Sequence, residues 1–251
     1  MLKEKEEQLC KKRFLELANT AYYKGYATYS DFLNLNEQSL FYQMDKEIPN
    51  VSYFLWGGTE LAERKILCFA TEKIEKELFP LCAIKITPSN IKFAEKLTHR
   101  DYLGAILNLG IDRSKIGDIM PNGSEAYVFL HMDMKEYILS QLEKVKHTKV
   151  ICKEVEQNFS FEQQYKMIHG NVSSVRLDAV IALAFGESRS SLIGMISGGK
   201  VFVNGAMVSS NSYTLCPGDI VSVRGKGKFV YQDEECVTKK GKIKIVLRKY
   251  V

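Results

Sequence analysis

The feature that most constrains the fold is the dipeptide Asn204–Gly205, which stands between two short apolar runs. Both residue types tolerate a positive φ, so this pair favours the tight two-residue turn of a β-hairpin. Residues 201–203 and 206–208 are therefore predicted to be paired strands. Downstream, the Pro-Gly-Asp turn at 217–219 precedes a predicted strand at 220–223, and residues 242–247 are predicted to form a closing strand.

Two short helices are predicted immediately before this hairpin. The first is predicted to start at a cap formed by Ser173 or Ser174, to run to residue 185 and to end at Gly186. The second is predicted to begin after Ser188, to run through Ile196 and to end at the glycine pair 198–199. The last part of the chain is therefore predicted to be two helices followed by strands.

The excess of positive charge lies in this same part of the chain. Residues 172–251 hold 12 Lys and Arg against 6 Asp and Glu, a net charge of +6. Residues 1–171 hold 23 against 24, a net charge of −1. A basic module beside a near-neutral body favours a polyanionic partner, nucleic acid or a membrane surface, and the alternative is a solvated lysine-rich surface.

Two arginines, Arg176 and Arg189, are predicted to lie exposed in the first turns of these helices. A cation there opposes the helix dipole by about 0.3–1 kcal/mol. A bound phosphate would relieve that conflict, because the free N–H groups of a helix start and a guanidinium both bind anions. The alternative is that either arginine pairs with a nearby carboxylate, Asp178 or Glu187.

The spacing of these residues resembles the RNA-binding αL domain of the ribosomal-protein-S-four type. The matching stretches are Arg-Leu-Asp at 176–178, Ser-Arg at 188–189, Gly-Lys-Val-Phe-Val-Asn-Gly at 199–205, Pro-Gly-Asp at 217–219 and Val-Arg-Gly at 223–225. The resemblance implies that the second helix, the loop after it and the hairpin bind the RNA backbone. It assigns to that surface Arg176, Arg189, Ser190, Lys200 and Asn204, with further charge nearby from Arg224, Lys226 and Lys228.

Residues 79–157 alternate between strand and helix patterns. Strands are predicted at 81–87, 115–120, 125–131 and 145–155, and helices at 98–109 and 133–142. Thr98 is predicted to cap the first helix together with Asp101, and Gly110 to end it. The order β-α-β-β-α-β is that of ferredoxin-like and RNA-recognition-motif domains.

Two groups of side chains in this central part have alternative interpretations. Tyr127, Phe129 and His131 share one face of a predicted strand, where RNA-recognition motifs stack bases. Alternating aromatic residues more often belong to a core, which is the interpretation we favour. Arg100, Arg113 and Lys115 would form a basic edge, and here we favour simple surface solvation.

The predicted fold class is α+β in three parts. An N-terminal helical and β-hairpin region spans 1–78, a central RRM-like domain with the ferredoxin-like split βαβ plan spans 79–157, and the αL RNA-binding domain spans 172–251. Within the first part, residues 1–46 are predicted to be helical with Ser30 as an N-cap, and β-prone runs follow at 51–56 and 65–70. Residues 156–172 are polar and are predicted to be the linker to the last domain.

The upstream motifs together with the αL module resemble the YlmH family. These motifs are Gly-Gly at 57–58, Ala-Glu-Arg at 62–64, Leu-Thr-His-Arg-Asp-Tyr-Leu-Gly-Ala at 97–105, Leu-Gly-Ile at 109–111 and Lys-Ile-Gly-Asp-Ile at 115–119. The resemblance implies a non-enzymatic, ribosome-associated RNA-binding protein. It also implies a role in quality control on stalled large ribosomal subunits, near peptidyl-tRNA, during addition of alanine tails, and an older link to cell division.

The remaining expectations concern location and chemistry. No run approaches the roughly 18 apolar residues of a membrane span, and the charged N-terminus does not look like a signal peptide, so a cytoplasmic protein without integral membrane association is expected. The six cysteines lack paired spacing and are expected to be reduced thiols. No catalytic residue, metal, cofactor or small-molecule substrate is expected.

The partners expected are ribosomal RNA or tRNA and the large ribosomal subunit, bound by a chain that is monomeric when free. One rival is an RNA-modifying enzyme of the pseudouridine synthase or rRNA methyltransferase type that carries an αL module. Another is a scaffold at the division septum, with its basic face toward the membrane.

Overall fold

The computed structural model describes residues 2–44, 47–60, 62–155, 165–238 and 241–250. The chain forms two compact units. The first consists of Met1–Glu37 and Gln43–Ser160, and the second of Gln38–Tyr42 and Phe161–Val251. The three-part division at residues 78, 157 and 172 remains our proposal from the sequence.

The N-terminal part of the first unit holds a long helix and a three-stranded antiparallel sheet. Its elements are α1 (Leu2–Lys24), β1 (Thr28–Leu33), α2 (Leu35–Gln43), β2 (Ser52–Trp56) and β3 (Lys65–Ala70), and the strand order is β1-β3-β2. Helix α2 runs across the division between the two units, because residues 38–42 count with the second.

The prediction that Ser30 caps a helix is wrong, because Ser30 lies inside strand β1. Its hydroxyl accepts the backbone N–H of Leu67 on the neighbouring strand at 2.9 Å. The cap of α2 is Asn34, whose side-chain oxygen accepts the N–H groups of Asn36 at 2.9 Å and Glu37 at 3.2 Å. The Glu37 carboxylate accepts the Asn34 N–H at 2.7 Å, which completes a capping box.

The second part of this unit has the predicted split βαβ plan. Its elements are β4 (Leu81–Pro88), α3 (His99–Leu107), β5 (Ile116–Asn122), β6 (Glu125–His131), α4 (Lys135–Gln141), β7 (Lys144–Val145) and β8 (Thr148–Val155). The strand order β5-β6-β4-β8-β7 contains the four-stranded ferredoxin-like arrangement plus one edge strand. The single strand predicted at 145–155 is wrong in one respect: the chain turns at Lys146, where φ is 52°, and makes a short hairpin.

The second unit is a six-stranded antiparallel sheet with two helices packed on one face. Its elements are β9 (Tyr165–Val172), α5 (Leu177–Phe185), α6 (Arg189–Ser197), β10 (Val201–Val203), β11 (Ala206–Met207), β12 (Ile220–Val223), β13 (Gly227–Val237) and β14 (Ile243–Tyr250). The strand order is β11-β10-β12-β13-β14-β9. Apolar side chains of both helices and of alternate strand positions form its core.

Three predictions for this unit need correction. Residues 165–172 are an edge strand paired with β14 rather than part of a linker, and the rest of that predicted linker, 156–164, lies outside the described residues. Strand β13 was not predicted. The first helix starts later than expected, with Arg176 rather than Ser173 or Ser174 at the N-cap position.

Among the described residues no single helix is long and apolar enough to cross a membrane. Only α5 and α6 taken together meet that test of length and composition, and they are bent by 120° at their junction.

Candidate nucleic-acid interface

The start of α6 is built to leave an arginine exposed. Gly186 ends α5 in the left-handed region, at φ 66°, and lets the chain turn sharply into the next helix. The Ser188 hydroxyl then accepts the N–H of Ser191 at 3.3 Å and caps α6. Arg189 is the first residue of this helix and is exposed, as the sequence predicted. Among the described residues it has no ion-pair partner.

Ser190 lies beside it on the same first turn and is exposed. Its hydroxyl is 3.0 Å from that of Ser188, so either one donates to the other. An exposed helix start with a hydroxyl and a guanidinium is suited to an anion, because all three supply hydrogen-bond donors.

Arg176 has a different environment from the one predicted. Its Nε and Nη2 groups donate to the two carboxylate oxygens of Asp178 at 3.1 and 3.2 Å. The Asp178 side chain is only 9% exposed, whereas that of Arg176 is 43% exposed. Arg176 therefore lies at the N-cap position rather than in the first turn, and its side chain is partly exposed but paired. The alternative of pairing with Asp178 is the one that the structure shows.

The hairpin tip is also held by internal bonds. Asn204 and Gly205 adopt φ values of 50° and 86°, as a two-residue turn of this type requires. The Asn204 side chain donates to Asp219 at 2.8 Å and accepts the N–H of Ile220 at 2.9 Å. Asn204 thus joins the hairpin to the Pro-Gly-Asp turn, and its amide has few hydrogen-bonding positions left for RNA.

The turn between β12 and β13 brings further basic residues to the same region. The backbone N–H of Arg224 donates to the carbonyl of Lys200 at 2.9 Å, so these two exposed residues are neighbours. The Arg224 guanidinium lies 5.4 Å from the centre of the Phe202 ring. Lys226 pairs with Glu187, which joins this turn to the residue just before the α6 cap.

Glu187 was missed as part of this surface, although it was named as a possible arginine partner. Its hydrogen bond from Lys226 lowers the pKa of the carboxyl, and the charge of Lys249 adds to the effect. The positive charge of Lys226 thus has an internal partner in Glu187. Lys228 is half-buried and also has an interaction within the protein. The sequence signal for this pair was weak, because 39 residues separate its members.

The predicted site residues therefore fall into two groups. Arg189, Ser190, Lys200 and Arg224 are exposed and available to a ligand; we call these four the α6 surface. Arg176, Asn204, Lys226 and Lys228 are engaged within the protein.

Of the three side chains predicted to share one face of β6, Tyr127 and Phe129 are buried and His131 is partly exposed. Tyr127 is 8% and Phe129 is 4% exposed. A Cβ atom added at Gly58 would lie 2.3 Å from the Phe129 ring, and one at Gly117 would lie 3.0 Å from its Cβ. The backbone of Gly58 therefore packs against this ring and that of Gly117 against the Phe129 Cβ, which confirms the core interpretation.

Two of the three residues of the predicted basic edge are engaged within the protein. Lys115 pairs with Asp31 at 2.7 Å. Arg113 donates to main-chain carbonyls, and burial, with the nearby charge of Arg64, lowers its pKa to about 10. Arg100 alone of the three is exposed.

The Ala-Glu-Arg motif at 62–64 has a structural role. The Arg64 guanidinium donates to the carbonyls of Ile116 at 2.7 Å, Phe32 at 2.8 Å and Arg113 at 3.1 Å. The Asp118 carboxylate accepts the backbone N–H groups of residues 63 and 64 at 2.7 and 3.0 Å. The motif residues therefore hold the three-stranded sheet to the central sheet, both within the first unit.

A groove of about 540 Å³ lies between α3 and the β7 hairpin and holds a carboxylate, Asp101. This carboxylate accepts the N–H and the hydroxyl of Thr98, each at 2.8 Å, and pairs with Lys146 at 3.0 Å. The bond from the Thr98 backbone and the Lys146 contact lower the pKa of Asp101 to about 2. Asp101 is thus a helix cap that is ionised at neutral pH, as the sequence indicated.

In the part of the chain that the structure describes, no three His, Cys, Asp or Glu side chains cluster as metal ligands. All six cysteines are free thiols.

Comparison with known proteins agrees with this architecture. A family model described as "Putative RNA-binding domain in YlmH" matches residues 75–158, and an S4 domain model matches residues 175–221. The latter range contains Arg176, Arg189, Ser190, Lys200 and Asn204, whereas the residues at 224, 226 and 228 lie beyond it.

One relative is "Ribosome-associated protein quality control protein P2" of Bacillus subtilis (strain 168). It is 29% identical over 227 residues, which cover 88% of this chain and 86% of the relative. A solved structure, "Cell division protein ylmH from Streptococcus pneumoniae", is 19% identical and gives a TM-score of 0.50. That match covers 60% of this chain and 92% of the other, and it shows a likeness of fold.

The fold and the exposed basic groups define a modular RNA-binding protein of α+β class, with a ferredoxin-like domain followed by an S4 domain. This pair of domains is the YlmH arrangement, so the family resemblance predicted from the sequence is confirmed.

Proposed function

We propose that this protein is a non-enzymatic, cytoplasmic RNA-binding factor that associates with the ribosome in the quality control of stalled nascent chains. The observation that carries this proposal is the relative named for ribosome-associated quality control, which matches this chain over 88% of its length. Both domain matches are to RNA-binding modules.

The α6 surface supports the proposal physically. Arg189 and Ser190 stand at a capped helix start, and Lys200 and Arg224 are joined through a backbone hydrogen bond. Phosphate groups bind well to exposed guanidinium, ammonium and helix-start N–H groups of this kind. We infer that the α6 surface contacts the RNA backbone, and that the partner is ribosomal RNA or tRNA on the large subunit.

The rival function, RNA modification, would need a catalytic group, and the groove beside α3 holds two carboxylates, Asp101 and Glu143. Asp101 is engaged in capping α3 and in pairing with Lys146, and both family matches are to RNA-binding modules. We therefore expect ribosomal RNA to keep its mass after incubation with the protein and common methyl donors. A new methyl group or pseudouridine would overturn the non-enzymatic proposal.

Co-sedimentation with large ribosomal subunits tests the main proposal. Arg189→Ala should weaken binding roughly ten-fold or more, because a charge-assisted contact contributes about 1.5–3 kcal/mol. It should also reduce the slope of log affinity against log salt by about one. Lys12→Ala is the matched control, because it removes the same charge from an exposed site on α1.

Arg189→Lys should restore only part of the affinity, since an ammonium keeps the charge but loses the planar pair of donors. Equal binding by the wild type, Arg189→Ala and Lys12→Ala would refute the assignment of the α6 surface. Failure of the wild type to co-sediment with any ribosomal particle would refute the proposed function itself.

A further inference from the structure

The edge of the six-stranded sheet farthest from the hairpin has an unusual charge pattern. Strands β9 and β14 pair over eight register positions, from Tyr165 opposite Tyr250 to Val172 opposite Ile243. Residues 165–172 and 241–250 contain no acidic side chain. They contain five basic ones: Lys166, Lys242, Lys244, Arg248 and Lys249.

Large aromatic and apolar side chains are exposed at one end of this pair. Tyr165 is 53% exposed and Met167 is 42% exposed. Their direct partners across the strands are Tyr250 and Arg248, so all four side chains project from one face of the sheet. We call these four residues the β9–β14 platform.

The platform is ordered by contacts among its own members. The Arg248 guanidinium carbon lies 5.5 Å from the centre of the Tyr165 ring and 5.7 Å from that of Tyr250. The two rings are 6.5 Å apart with an interplanar angle of 68°. The arginine thus fixes the orientation of both rings, while more than half of Tyr165 stays accessible.

Edge protection explains only part of this pattern. Lysines on an edge strand prevent pairing with other chains, which accounts for Lys166. An exposed tyrosine and methionine on the same strand would favour association instead. Exposed aromatic rings and cations on two strands that carry no acidic residue match a different ligand: single-stranded nucleic acid, whose bases stack on the rings while its phosphates attract the cations.

We propose that the β9–β14 platform binds unpaired nucleotides, with a base stacked on Tyr165 and a phosphate near Arg248. This inference rests on the proposed function, since it takes RNA as the partner. It adds a second contact, to unpaired nucleotides, in addition to the backbone contact at the α6 surface.

Fluorescence anisotropy with two labelled probes tests the proposal on the full chain. One probe is a 12-nucleotide oligouridine, which is unstructured, and the other is a stable RNA hairpin. Tyr165→Ala should weaken oligouridine binding roughly 5- to 150-fold, the loss expected for one stacked base. Tyr165→Phe keeps the ring and should bind within about two-fold of the wild type.

The matched control is Tyr23→Ala, which removes another exposed tyrosine, 78% exposed on α1. It should leave oligouridine affinity unchanged. Melting curves of all three variants should agree with the wild type, because each side chain is exposed. Ultraviolet crosslinking to the oligouridine should give a modified peptide that contains Tyr165.

Equal loss of oligouridine binding in Tyr165→Ala and Tyr23→Ala would overturn the proposal, as would no loss in either. So would an oligouridine crosslink that yields no modified peptide containing Tyr165. A loss caused by Arg189→Ala but not by Tyr165→Ala would place the single strand on the α6 surface and refute the platform. Failure of the proposed function is distinguishable, because it appears as absent ribosome binding whatever residue 165 is.

Discussion

Arg176→Ala is expected to lower the free energy of unfolding by about 2 kcal/mol, whereas Arg189→Ala should lower it by less than about 0.5 kcal/mol. Both arginines stand at helix starts, so their sequence contexts look alike. They differ in the structure, because Arg176 donates two hydrogen bonds to a nearly buried carboxylate and Arg189 has no such partner among the described residues.

The magnitude for Arg176 follows from its partial exposure. Removing one member of a fully buried ion pair costs about 3–5 kcal/mol, and an exposed pair contributes about 0–1 kcal/mol. Here the carboxylate of Asp178 is 9% exposed but the arginine is 43% exposed. Asp178 also keeps its bond from the Ala179 N–H at 2.9 Å. The expected loss therefore lies between the two limits.

For Arg189 the expected loss is small because an exposed Arg-to-Ala change costs little helix propensity and removes an unfavourable dipole interaction. Thermal unfolding measures both variants. A loss of 2 kcal/mol should lower Tm by roughly 4–8 °C in a chain of this size. RNA affinity should show the reverse order, with Arg189→Ala the weaker binder.

A double-mutant cycle tests whether the Arg176–Asp178 ion pair stabilises the protein in solution. The cycle of Arg176→Ala, Asp178→Asn and the double variant should give an interaction free energy of about 1 kcal/mol or more, since the two side chains are in contact. If Arg176→Ala melts within 1 °C of the wild type and the coupling is zero, the ion pair does not contribute in solution. Arg176 would then return to the set of available RNA ligands.

Three further outcomes can be measured on purified protein. Gly58→Ala should destabilise the protein by about 3 kcal/mol or more, since φ is 92° and the new Cβ would meet an aromatic ring at 2.3 Å. Gly110→Ala, at φ 82° in open space, should cost only about 1 kcal/mol, and equal melting temperatures for the two would contradict the packing argument. The carboxyl of Asp101 has a folded-state pKa of about 2, below its ordinary value of 3.8, so its contribution is complete above pH 4 and is lost as the pH falls toward 2. The Tm difference between wild type and Asp101→Asn should therefore shrink over that range, and a constant difference would disprove the cap's ionisation. A thiol reagent at pH 8 should modify exposed Cys216 quickly but spare Cys82, whose pKa burial raises to about 12, until the chain unfolds.

The elements that the sequence predicted correctly are those held by local interactions. The turn at Asn204 and Gly205 depends on the φ preference of two adjacent residues. The caps at Thr98 and Ser188 bond to groups three residues away. Each such signal lies within one short window, so it is visible without knowledge of the rest of the fold.

The tertiary structure decided what depends on partners far apart in sequence. Strand β9 was taken for a linker because residues 156–172 are polar, and the strand that pairs with it, β14, lies more than 70 positions later in the sequence. The sequence predicted Lys226 and Asn204 as RNA ligands. The structure shows that Lys226 pairs with Glu187 and that Asn204 bonds to Asp219.

The sequence by itself therefore determined the class of protein and the position of its basic face, because local turns, caps and charge density lie in consecutive residues. The structure alone decided which of those cations is available. A side chain is free for a ligand only if no neighbour in space satisfies it, and Arg189 differs from Arg176 in this respect because only Arg176 has a carboxylate, Asp178, within hydrogen-bond distance among the described residues.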